Sequence, residues 1–134
     1  MSEKLSANFS RDEFACNGVG CCGHSAPISP ELIDALQRLH RVVTLRVGKQ
    51  VSLKINSGFR CKTHNAKVKG AVDSPHCKGI AADVATPAAI TDVEFFECAK
   101  KVPEFMFGGM GLYNGRIHVD VRKTGGNGVK WDNR

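Results

Sequence analysis

His76 and Asp83 stand seven residues apart, joined through the small, largely apolar run Gly79, Ile80, Ala81 and Ala82. An imidazole nitrogen and a carboxylate oxygen are both good ligands for a divalent transition metal, zinc above all. A catalytic zinc site usually takes three protein ligands and leaves a fourth position for water, so a third ligand is required. The stretch Arg116, Ile117, His118, Val119, Asp120, Val121, Arg122 offers the obvious one. His76, Asp83 and His118 then make a two-histidine, one-carboxylate set, and zinc held there would bring the pKa of its water toward about 7. His118 and Asp120 share one face of a strand with side chains about 6–7 Å apart, the relation of a ligand to a nearby base. Four polar residues on one strand face are also what a merely solvated face looks like.

The elements that would position these residues can be read from pattern. Ser10 and Glu13 have the spacing of a capping box, with Phe9 and Phe14 able to anchor a polar lead-in of residues 1–28. Ser29, Pro30 and Glu31 start a helix, and Leu32, Ile33, Leu36, Leu39 and Val43 recur at helical spacing to about Leu45. His40 reads as a helix residue satisfied within the fold. Val51, Leu53 and Ile55 alternate with polar residues as a half-buried strand does, and Ser57 and Gly58 end it. A short helix over 63–69 and a polar, Gly-rich loop deliver His76, and residues 80–85 form a second strand. Thr91 and Glu94 make another capping box, opening a helix whose inner side is Phe95, Phe96, Ala99 and Val102 and which Pro103 ends. Residues 107–113 and 116–122 read as a hairpin around Asn114 and Gly115. Residues 124–134 read as a polar tail. The expectation is a single α+β domain over 1–134, compact, with a small, mostly antiparallel sheet flanked by helices.

Composition bounds the function. With 134 residues, 42% hydrophobic and 24% charged, the chain is the size of one ordinary domain. No apolar run reaches the roughly 20 residues that cross a bilayer, and the N-terminus lacks the apolar core of a secretory signal. The expected setting is synthesis in the cytoplasm and action on the cell wall after release by lysis, or within a virion. A net charge of +6 favours polyanions, including a wall rich in carboxylates and phosphates. One Tyr and one Trp supply no stacking platform and the basic residues are dispersed, which argues against nucleic acid. Cys16, Cys21, Cys22, Cys61, Cys77 and Cys98 are many for this length. Cross-linking, packing as thiols and, around Cys16, Cys21, Cys22 and His24, a second metal all remain open.

Taken together, Ser57-Gly58-Phe59-Arg60 with Asn65, then Ser74-x-His76-x-x-Gly79-x-Ala81-x-Asp83, then Ile117-His118-Val119-Asp120 resemble the M15 family of zinc peptidases. That family includes D-alanyl-D-alanine carboxypeptidases and phage endolysins. The likeness is to its compact M15A-like branch, runs from about Phe9 to Arg122, and includes Phe14-x-Cys16 and the Pro30-Glu31-Leu32-Ile33-Asp34-x-Leu36 helix. It implies a hedgehog/D,D-peptidase-like fold and one catalytic Zn²⁺ on His76, Asp83 and His118. It also implies that Arg60 orients substrate or steadies an oxyanion, and that Ser74, with Ser57, hydrogen-bonds within the site.

One departure bears on the chemistry. Many members of the family carry an acid three residues before the last histidine ligand, where this chain has Gly115, and others a histidine two before, where it has Arg116. Asp120 is then the first candidate for the catalytic base, its alternative being a partner that orients His118; His64 is a weaker candidate. The expected function is a zinc D,D-peptidase, carboxypeptidase or endopeptidase, cleaving peptidoglycan stem or cross-link peptides, monomeric and of the phage or prophage lysin kind. The alternatives are a non-catalytic zinc-containing domain that binds the wall or sits in a virion, and a metal-free module with cross-linked cysteines.

Overall fold

The computed structural model describes residues 4–14, 28–58 and 75–134. The cysteines at 16, 21, 22 and 61, the expected helix over 63–69, and His24, Arg60, His64, Asn65 and Ser74 lie outside the described residues.

A 3-10 turn, Arg11–Phe14, opens the fold. The Ser10 amide donates to a Glu13 carboxylate oxygen at 2.6 Å, as the capping spacing predicts. Helix α1 is Pro30–Val47. Pro30 fits its first turn because the missing amide has no intrahelical partner there, and Gly48, at φ 83, closes it by donating to the Thr44 carbonyl. Ser29 differs from expectation: its side chain caps nothing, and its amide donates instead to the Gly79 carbonyl, tying the helix start to the loop behind His76. Leu32, Ile33, Ala35, Leu36, Leu39 and Val43 form the buried stripe. Each large member contributes roughly 1.5–3 kcal/mol by leaving water. His40 is also buried, with Nε2 at 2.8 Å from the Val51 carbonyl.

Five strands follow: β1 (Ile55–Ser57), β2 (Ala81–Ala85), β3 (Gly109–Tyr113), β4 (Arg116–Asp120) and β5 (Val129–Asp132). They form one sheet in the order β1-β2-β4-β3-β5. The first three pairings are antiparallel and β3–β5 is parallel, so the sheet is mixed but mostly antiparallel, and the fold is α+β. The hairpin falls where Asn114 and Gly115 predict it, with Gly115 at φ 83 as such a turn requires. Regular pairing of β1 starts only at Ile55, later than the alternation from Val51 suggests.

Helix α2 (Asp92–Ala99) starts with the full reciprocal capping box of Thr91 and Glu94. It ends before Val102, and Pro103 opens a short helix α3 (Pro103–Met106) rather than merely terminating α2, since proline at a first turn costs no hydrogen bond. Helices α2 and α3 pack on one face of the sheet against β3 and β4, and α1 packs against both of them. That face carries Ala82, Val84, Met110, Leu112, Ile117 and Val119, all buried. Alternation leaves Ala81, Asp83, His118 and Asp120 on the other face. The tail expected to be merely polar supplies β5.

Two serine and threonine positions separate a working cap from an idle one. Thr91→Ala should lower unfolding free energy by about 1 kcal/mol in urea titration, whereas Ser29→Ala should change it by only a few tenths.

Candidate metal centre

Antiparallel pairing sets Asp83 directly opposite His118, and His118 opposite Gly111. His76 enters from the 3-10 turn Pro75–Lys78, which packs beside β2. The ligand atoms of His76, Asp83 and His118 all lie within 4.8 Å of one another. Asp83 Oδ1 is 3.4 Å from His76 Nε2 and 3.1 Å from His118 Nδ1. A tetrahedral ion with bonds of about 2.0–2.1 Å needs ligand atoms about 3.3 Å apart. The donor set and its spacing therefore fit a single zinc-sized ion.

The far side of each ring is also assigned. His76 Nδ1 lies 2.6 Å from the Gly58 carbonyl, which can only accept, so the proton sits on Nδ1 and Nε2 is left for the ion. A side chain at Gly58 would overlap Phe14, which is fully buried; the lead-in thus packs against the backbone that orients a ligand. His118 Nε2 lies 2.7 Å from Asp120 Oδ2, leaving Nδ1 toward Asp83. This is the carboxylate–histidine relation that fixes a ligand's tautomer and raises its basicity.

Asp120 is completely buried and fully engaged. Besides His118, it accepts from Arg122 Nε at 2.8 Å, Arg122 Nη2 at 2.7 Å and the Arg122 amide at 3.1 Å. Burial alone would raise its pKa, but these hydrogen bonds and the adjacent cations outweigh burial and hold it well below the usual carboxylate range. Asp83 follows the same rule: burial raises it, and hydrogen bonds from His118 and His76 with their charge bring it far lower. Burial opposes protonation of His118, yet its bonds to Asp120 and Asp83 raise its pKa.

Of the residues proposed from sequence, His76, Asp83 and His118 converge. Asp120 joins them on the ring nitrogen that faces away from Asp83, and Ser57 pairs with Asp83 in register at the end of β1. Three contributors carry no chemical signature in the sequence. Arg122 reads there only as a polar strand residue. Gly109 and Gly111 read as plain strand glycines, although a side chain at Gly109 would overlap the Asp120 carboxylate and one at Gly111 the Trp131 indole. Two glycines alternating within a strand were the available signal of close approach. Cys77, beside His76, and buried Cys98 are free thiols.

The family described as Peptidase M15 matches residues 7–120 of the chain. No curated protein matches it.

Two outcomes test this centre. Asp120→Asn should weaken zinc uptake roughly 10–100-fold in competition with a chromophoric chelator, and Gly109→Ala, which pushes on the same carboxylate, should act in the same direction. In chelator, Asp83 and Asp120, with lowered values, contribute stability that is present above about pH 4 and lost as pH falls through their folded pKa values. His118, with a raised value, contributes stability that is present below about pH 6.5 and lost as pH rises through its folded pKa. Urea midpoints of the metal-free chain should therefore peak between those two pH values; a steady climb from pH 6.5 to pH 9 would contradict the His118 pairing.

Proposed function

The chain belongs to the Peptidase M15 family, and on that premise we propose that it is a zinc-dependent D,D-peptidase hydrolysing stem or cross-link peptides of peptidoglycan. The family makes it a metallopeptidase with a peptide substrate. The observation that carries the proposal further is the spacing of the His76, Asp83 and His118 donors around one point, with both histidine tautomers fixed from behind.

In this reading His76 Nε2, Asp83 Oδ1 and His118 Nδ1 hold the ion. Bound zinc supplies Lewis acidity toward a peptide carbonyl and acidifies a water molecule. Asp120 keeps the proton of His118 on Nε2 and stabilises charge on that ring. We assign it this orienting role rather than that of base, because its oxygens are occupied by His118 and Arg122 and its lowered pKa makes it a poor proton acceptor. Arg60 is assigned to orient the substrate or steady an oxyanion, a task suited to a rigid cationic fork. The net charge of +6 suits an anionic wall, reached after release from the cytoplasm by lysis or carried in a virion.

A second reading has its own observation. Gly115 takes φ 83 at the hairpin tip, and a side chain there would meet nothing within 4 Å, so the position serves the turn and supplies no acid. That favours a non-catalytic, zinc-containing wall-binding or virion domain.

The test is zinc content per chain of the native protein and of His76→Ala, paired with release of free amines from purified peptidoglycan. One zinc and amine release, both lost in the variant, support the peptidase. One zinc without amine release supports the binding domain, and no zinc overturns both.

A further inference from the structure

The row of paired residues that carries the metal centre continues past His118. Gly111 pairs with His118 on one side and with Trp131 of β5 on the other, so Asp83, His118, Gly111 and Trp131 form one line across four strands. Gly111 has no side chain, and the indole fills the space a Cβ would take. The Trp131 ring reaches His118, with centroids 5.1 Å apart and planes inclined at 43°. On its other side His118 meets the His76 ring edge-on, also at 5.1 Å. Trp131 Nε1 donates to the Tyr113 hydroxyl at 2.8 Å, which fixes the indole in its plane. The Arg122 guanidinium, already bound to Asp120, lies 5.7 Å from the indole centroid.

Beyond its backbone ladder with β3, strand β5 buries little side chain. Val129, Lys130 and Asp132 are exposed, and Trp131 is its one half-buried residue. Its packing is thus directed at His118 rather than at the core. It also lies beyond the residues matched to the family.

We infer that Trp131 is a positioning residue of the metal centre: it holds the His118 imidazole in the plane that aims Nδ1 at the ion. Asp120 fixes Nε2 and Asp83 meets Nδ1 at 3.1 Å, but both contacts lie at the edge of the ring and leave it free to tilt. The indole against one side and His76 against the other remove that freedom. The inference rests on the metal centre proposed above but not on any peptidase activity.

The test measures zinc affinity by chelator competition, and the urea midpoint in chelator, for the native chain, Trp131→Ala, Trp131→Phe and Gly111→Ala. The last keeps the indole but pushes it off His118. The expected result is a loss of zinc affinity of about tenfold or more in Trp131→Ala and Gly111→Ala, recovery to within about threefold in Trp131→Phe, and similar metal-free midpoints throughout. Trp131 is the single tryptophan, so zinc should also shift its emission in the native chain and leave it unchanged in His118→Ala. Native affinity in Trp131→Ala, or a loss matched by a lower metal-free midpoint and not recovered by phenylalanine, would overturn the inference while leaving the metal centre standing. Failure of the native chain to take up zinc would overturn both.

Discussion

The register between β2 and β4 is the constraint on which the site depends. With Asp83 opposite His118, two candidate ligands face each other across neighbouring strands, and alternation puts Asp120 on the same side as His118. A slip of one residue would turn His118 and Asp120 into the helix-covered face and expose Ile117 and Val119. The apolar side therefore enforces the polar one. Val84, Ile117, Val119, Met110 and Leu112 are buried beneath the helices, and their burial makes any other register costly. The candidate metal centre inherits its register from the core on the opposite face of the sheet.

A buried carboxylate is the second demand. An ionised aspartate away from water is strongly unfavourable unless paired and hydrogen-bonded. Asp120 meets that condition through His118 and three donors from Arg122, only two residues along the chain. Room for it comes from Gly109, whose lack of a side chain admits the carboxylate. Two residues further along β3, Gly111 admits the indole by the same means. One strand thus contributes Met110 and Leu112 to the core and two absences to the site.

Ligand orientation is settled from outside the donor set. The Gly58 carbonyl holds the proton of His76 on Nδ1, and Gly58 itself is backed by Phe14 of the lead-in. Asp120 does the corresponding work for His118. Both rings therefore present one nitrogen each toward Asp83 before any ion arrives. For His118, carried on β4, such preorganisation is what a strand can offer and a loop offers less well, whereas His76, on a 3-10 turn, relies on the Gly58 carbonyl.

Much of this was legible in the chain because it depends on local pattern. The helix at Pro30, the Thr91–Glu94 box, the Asn114–Gly115 turn and the alternation of β4 each follow from sterics and hydrogen bonding within a few residues. The ligand types and spacing named His76, Asp83 and His118 for the same reason. Tertiary structure alone decided which ring nitrogen of His118 faces Asp83, that Asp120 meets the opposite nitrogen, and that the tail returns as β5 beside β3. Each of these turns on contacts between residues distant in sequence or on the rotation of a side chain, and no period or cap encodes either. The parallel pairing of β5 is the clearest case. Only two half-buried or buried positions, Trp131 and Gly111, join it to the site, far too little for a pattern in the sequence to show and enough for packing to choose.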